Sequence, residues 1–132
     1  IHQLDSIRAS GAPFFLHVPF LEPHPPFFTP PPYDTLVDPE TLPLPRTGEE
    51  ANRPPWQEAC RQELGSHLAQ DGDIRKLVAA YYGMIAYAND QMERIQEALA
   101  ERRMLDNTWI IVTADHGESL GEAGVPQLSA TA

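Results

Sequence analysis

The chain has 132 residues, which allows at most one domain with a core of ordinary size. Nine Lys and Arg stand against nineteen Asp and Glu, a net charge of −10, and Lys76 is the only lysine. That balance argues against a nucleic-acid partner, whose phosphates need clustered basic side chains. It also means that an anionic substrate would need local positive charge from a metal or a few arginines. No apolar run approaches the ~20 residues of a bilayer span, so no membrane segment is expected within it.

The chain opens on Ile1, with neither a basic nor an apolar leader region, and is expected to be an interior piece of a longer protein. Residues 1–10 read as the end of a helix closed by Gly11. Pro13 to Phe20 is a short, mostly apolar run bounded by turn formers, and reads as a buried strand ending near Val18, with His17 alternating along it. Thirteen of the fourteen prolines fall between Pro13 and Pro55, so residues 21–56 are expected to be a long loop with extended stretches. Loops of that length inside a compact domain are uncommon and often functional.

Gln57 to Leu68 reads as a short helix, with Cys60 an ordinary residue of it. A longer helix, capped by Asp71 or Asp73, should run to about Arg103. Its residues Ile74, Leu77, Val78, Tyr81, Ile85, Ala88, Met92, Ile95 and Leu99 step by three and four and should face a sheet or another helix. Tyr81 and Met92 are read as core rather than ligand contacts, and Asp90 and Arg94 as a solvated ion pair. After a turn at residues 104–107, Thr108 to Thr113 is β-branched and apolar on both faces, as in a parallel strand covered by helices. The expected fold class is α/β: part of a mixed, mostly parallel central sheet flanked by helices, incomplete in this chain.

That strand ends in Ala114-Asp115-His116-Gly117-Glu118. Ligands of open parallel sheets bind outside the carboxyl ends of the strands. A carboxylate and an imidazole turned together there can hold a divalent cation; the alternative is an acidic strand end with a solvated histidine. A second candidate is His24, between Pro23 and Pro25 just beyond the first strand. Held out of any ladder, its imidazole could donate to an anionic oxygen or protonate a leaving group; the alternative is a surface histidine in a Pro-rich loop. His2 and His67 read as surface positions.

Together these segments resemble the sulfatase family of the alkaline phosphatase superfamily. The resemblance rests on Pro13-Phe14-Phe15-Leu16 through Pro23-His24-Pro25, and on Tyr-Tyr-Gly-Met-Ile-Ala-Tyr-Ala-Asn-Asp at 81–90. Leu105-Asp106-Asn107-Thr108 follows, then Thr113 through Asp115-His116-Gly117 to the Leu120-Gly121 pair. It implies an alkaline-phosphatase-like sheet and a partial catalytic domain over 1–132, with a variable Pro-rich loop and short helix at 21–72 and the long helix, strand and metal-ligand loop at 73–124. By the same resemblance Asp115 and His116 ligate a divalent metal, calcium or alternatively manganese, and His24 contacts the ester near the leaving oxygen. The activity implied is hydrolysis of a small-molecule or glycan sulfate ester. Phosphodiester or phosphonate monoester hydrolysis on the same scaffold, and a non-catalytic degenerate relative, are the alternatives.

The chain departs from the family pattern in two places. No Cys/Ser-x-Pro-Ser-Arg motif is present, so the formylglycine nucleophile is expected in a preceding N-terminal part. After Gly121 the sequence runs Glu122-Ala123-Gly124-Val125-Pro126 with no lysine, where the family usually places a substrate-contacting one. The chain alone is therefore expected to be inactive.

Overall fold

A computed structural model describes residues 1–46, 54–63 and 65–122. Three α-helices organise it: α1 (His2–Ser10), α2 (Pro55–Glu63) and α3 (Asp71–Glu101), joined by single 3-10 turns at Tyr33–Thr35, Pro39–Thr41, Ser66–Leu68 and Leu105–Asn107.

Helix α1 ends as the sequence implies: Gly11 takes φ 62°, a left-handed conformation that costs glycine little, and its N–H donates to the Arg8 carbonyl. Leu4 is the deepest apolar residue, 2% exposed, and clusters with Ala98 and Leu99 at the far end of α3. Ile7, Ile95, Met104 and Leu105 pack around that cluster. A bidentate ion pair beside it fixes the approach: Arg102 Nε donates to Asp5 Oδ1 at 2.8 Å and Nη2 to Oδ2 at 3.1 Å, while Nη1 donates to the Ala98 carbonyl at 2.9 Å. The hydrogen bond from Arg102, then its charge, hold the Asp5 carboxyl below its usual range although partial burial opposes them. A depressed carboxylate pKa stabilises the fold above its unfolded value and loses that contribution as pH falls through the folded value. Thermal unfolding of the wild type and Asp5→Asn should therefore differ at neutral pH, and the gap should narrow as pH falls below 3.8 and through the folded value. A gap that does not narrow with acid would contradict this role for Asp5.

Helix α3 starts one residue earlier than the acidic candidates suggest. Gln70 is its N-cap, and the Gln70 N–H donates to Asp73 Oδ2 at 3.1 Å, so Asp73 serves the cap from the first turn instead of being it. The helix stops in a Schellman arrangement: the Met104 N–H reaches the Leu99 carbonyl at 2.9 Å, the Arg103 N–H reaches Ala100 at 2.8 Å, and Arg103 sits at φ 55°.

The burial of α3 departs from the large-residue stripe. Val78, Ala88 and Leu99 are buried as expected, but so are Ala79, Gly83, Met84 and Ala98, while Ile85 is exposed. Ala98 is covered by Leu4 of α1, whereas Ala79 and Gly83 are covered by the Pro-rich segment, which packs along a row made of Ala79, Gly83, Tyr87 and Asp90, spaced by four, four and three. Tyr33 lies on that row. Its hydroxyl donates to Asp90 Oδ2 at 2.5 Å and its ring meets Tyr87 edge-on at 5.4 Å. Asp90 thus pairs with Tyr33 and not with Arg94, whose guanidinium donates to Gln91. Further on, Asp38 caps the next turn through the Glu40 N–H, and Arg75 Nε donates to the Leu42 carbonyl at 3.0 Å.

Gly83 makes this docking possible. A Cβ there would run into the Tyr33 carbonyl oxygen and lie 3.1 Å from Thr29 Oγ1. Gly83→Ala gains ~1 kcal/mol of helix propensity, but overpacking costs ~1–3 kcal/mol, and the blocking atom is backbone, which cannot swing aside. A net loss of stability is expected in chemical denaturation; a stabilised variant would show that the loop shifts freely.

The sheet expected from the two apolar runs is absent: there is no strand among the described residues. Residues 13–20 and 109–114 have no regular secondary structure, and among the described residues neither run makes a ladder hydrogen bond to the other or to any strand. Phe15 is 92% and Trp109 95% exposed, and His17 is exposed with them. β-branched and apolar composition favours a strand only once another strand supplies the ladder.

Candidate functional site

The segment leaving Val112 turns at Asp115, where the His116 N–H donates to Asp115 Oδ1 at 3.0 Å. That local bond brings the two side chains to the same side of the turn, although neighbours on an extended strand point apart. Asp115 Oδ2 lies 3.8 Å from His116 Nε2. Metal–ligand bonds run ~2.0–2.6 Å, so one cation about 2.3 Å from each atom would subtend roughly 110°, an ordinary ligand angle.

The other imidazole nitrogen is occupied. His116 Nδ1 lies 2.8 Å from the Gly117 carbonyl, which can only accept, so Nδ1 carries the proton and the neutral ring presents a lone pair at Nε2. A backbone carbonyl behind the ring is the usual way a metal-binding histidine has its tautomer fixed. The Gly117 carbonyl, then the Asp115 carboxylate, raise the His116 pKa against a small opposing effect of burial. The donor set fits a divalent cation but is short of a full shell. No group of three or more His, Cys, Asp or Glu that could hold a metal occurs among the described residues.

His24 occupies a separate loop. Its N–H donates to the Leu21 carbonyl at 2.9 Å, and its Nδ1 lies 2.7 Å from the Pro25 carbonyl. Again the carbonyl can only accept, so Nδ1 carries the proton. Among the described residues no hydrogen bond or ion pair joins His24 to Asp115 or His116.

Both loops are nevertheless anchored to the first half of α3. Phe27, three residues after His24, meets the Tyr81 ring edge-on at 5.9 Å. Gly121, at φ 96°, is packed so closely that a Cβ would lie 3.1 Å from Ile74 Cγ2 and 3.1 Å from Pro45 Cγ. Burial, then the nearby Glu118 carboxylate, raise the Tyr81 phenol above its usual range. Sequence reasoning assigned Tyr81 to the core and no role to Glu118 or Gly121. The available signal was the spacing of Ile74 and Tyr81, two helical turns apart on one stripe.

The family model described as Sulfatase matches residues 2–132. This chain belongs to the sulfatase family. An alkaline-phosphatase-like α/β fold is what the family implies. Among curated relatives, the sulfatase chain is 32% identical over 127 residues to the multifunctional alkaline phosphatase superfamily protein PehA of Trinickia caryophylli, covering 85% of this chain and 25% of that protein. It is 31% identical to an arylsulfatase of Clostridium perfringens, covering 87% of this chain and 24% of the relative. To the iduronate 2-sulfatase of Mus musculus it is 30% identical, covering 94% and 25% respectively. The chain thus spans about a quarter of the length of the curated relatives it matches. No solved structure matches it. No helix among the described residues is long and apolar enough to cross a membrane. The departure from the family pattern beyond Glu122, including the absent lysine, lies outside the described residues.

Proposed function

We propose that this sulfatase chain is the part of a sulfate-ester hydrolase that supplies two metal ligands, Asp115 and His116, and a substrate histidine, His24. The observation that carries the reading is the 3.8 Å pair of Asp115 Oδ2 and His116 Nε2 with the imidazole tautomer set by Gly117. Calcium is the cation that the family resemblance implies, with manganese the alternative, and the carboxylate supplies the hard oxygen that either accepts. When bound, the cation supplies Lewis-acid stabilisation of charge on the sulfuryl oxygens.

The chain's own residues contribute the rest of what can be derived. Asp115 brings negative charge and His116 a neutral nitrogen. His24 commits its Nδ1 proton to Pro25, so a proton delivered to a leaving oxygen would come from Nε2 of the imidazolium form. The formylglycine nucleophile and the remaining ligands would come from the part of the parent protein that precedes this chain. The apolar runs at 13–20 and 109–114 would enter the parent's mostly parallel sheet, a role supported by their exposed apolar side chains, which are unusual on a free surface. Substrates are sulfate esters, small or glycan-borne, a reading supported by the similarity to an arylsulfatase and an iduronate 2-sulfatase. The similarity to a multifunctional alkaline phosphatase superfamily protein supports phosphodiester or phosphonate ester hydrolysis as the second reading.

The test is turnover of an aryl sulfate and of an aryl phosphonate monoester by the parent and by this chain, each with added calcium or manganese. The parent should prefer the sulfate ester, and the chain should be inert. A net charge of −10 without bound metal also disfavours approach of a sulfate ester. Metal-dependent turnover by the chain alone would mean that the nucleophile lies among residues read here as structural.

A further inference from the structure

We infer that Gly83 is a positioning residue for His24: the missing side chain in the interior of α3 seats residues 27–33 against the helix, and that seat sets where the imidazole stands. What His24 does is taken from the functional reading above, on which this role rests, but the seat itself is a set of contacts. Phe27 meets the Tyr81 ring edge-on at 5.9 Å. Two residues on, Thr29 Oγ1 lies 3.1 Å from where a Cβ of Gly83 would stand, and the Tyr33 carbonyl oxygen is closer still. The Tyr33 hydroxyl then donates to Asp90 Oδ2 at 2.5 Å, and its ring meets Tyr87. Tyr81 and Gly83 are two positions apart and so leave the helix on nearly opposite sides. The segment is therefore held on two flanks of α3, and the flank at Gly83 has no room to yield. The Thr29 hydroxyl oxygen is buried there with no hydrogen-bond partner among the described residues, so at that residue the contact is one of shape.

Composition carries the seat through to His24. Six of the ten residues 23–32 are proline, and each fixes its own φ near −65°. A displacement at Thr29 or Tyr33 is therefore passed along the segment, because few backbone rotations are free to absorb it. Local hydrogen bonds tie His24 into the same stretch: its N–H donates to the Leu21 carbonyl at 2.9 Å, its Nδ1 lies 2.7 Å from the Pro25 carbonyl, and the Phe28 N–H donates to the Pro26 carbonyl at 3.0 Å. A methyl group on Gly83 forces a backbone carbonyl to retreat by about 1 Å to reach ordinary contact. A misplacement of that size, made far from the chemistry, can cost ~100-fold in rate.

The experiment uses the full-length parent as wild type, Gly83→Ala, His24→Ala, the double variant and Phe27→Leu, with Leu4→Ala as a control that loosens the far end of α3. kcat/KM is measured for the sulfate esters of a strongly acidic and a weakly acidic phenol, beside thermal stability. If the parent turns over only aryl phosphonate esters, the same two phenols are compared on those. A displaced proton donor harms the weakly acidic leaving group most, whereas a smaller folded fraction lowers both rates alike. Gly83→Ala should lose about tenfold or more on the weakly acidic phenol and less than about threefold on the strongly acidic one. In the His24→Ala background the same change should lose no more than about twofold on either ester, because the group it places is gone. Phe27→Leu releases the other flank without crowding the helix and should show the same selectivity, so it decides the matter if Gly83→Ala does not fold. Leu4→Ala should lower both rates by one common factor. A folded Gly83→Ala that lowers both rates equally, or that loses as much on top of His24→Ala as alone, overturns the positioning role and leaves the reading of His24 standing. If His24→Ala itself shows no leaving-group selectivity, or the parent turns over neither ester class, the reading of His24 fails and the role of Gly83 fails with it.

Discussion

Asp115→Ala in the full-length parent is expected to lower kcat/KM for an aryl sulfate at least about 100-fold, roughly 2.7 kcal/mol of transition-state stabilisation. Mutating groups that merely orient metal ligands already costs ~10–100-fold, and Asp115 is placed to be a ligand itself. The side chain is 91% exposed and among the described residues meets only the adjacent His116, through its N–H and its ring, so its removal should leave folding stability within about 0.5 kcal/mol. That separation makes the test decisive. Asp115→Asn should fall between the two, since it keeps an oxygen donor but removes the charge that neutralises the cation. Calcium affinity should fall in the same order. An Asp115→Ala parent that retains activity within threefold of wild type would remove Asp115 from the site.

Ile111→Asp should distinguish the chain from its parent. In this chain Ile111 is 84% exposed, and a carboxylate there meets water, so the change should stay within about 0.5 kcal/mol in chemical denaturation. In the parent, if residues 109–114 enter a sheet covered on both faces, the same substitution buries an unpaired charge and should cost ~3–5 kcal/mol. Equal effects in the two proteins would mean that the segment stays at the surface in both, and the sheet proposed for the parent would then lack this strand.

Much of the helical organisation was legible because it is local. Gly11 marked the end of α1, and the three-and-four spacing from Ile74 to Leu99 marked α3 to within two residues at its C-terminal end. The apolar stripe was a poorer guide to what α3 buries. It counted large side chains, whereas the Pro-rich segment docks where side chains are small, over Ala79 and Gly83, and no hydrophobic pattern distinguishes such a groove from a solvated face.

The sequence by itself determined the units that short-range geometry dictates: the existence of three helices and the end of α1 at Gly11, though α2 runs Pro55–Glu63 and not Gln57–Leu68, and the Asp115–His116 pair, whose turn is closed by bonds between adjacent residues. Tertiary structure alone decided the long-range choices. Asp90 met Tyr33 from 57 positions away in place of the nearby Arg94, and Asp5 met Arg102 across 97. The same holds for the seating of the two site loops beside Tyr81 and Ile74. The two apolar runs show the limit most plainly. A helix satisfies its backbone within itself, but a strand needs hydrogen-bond partners from other strands, so apolar composition at 13–20 and 109–114 could mark segments suited to a sheet without forming one.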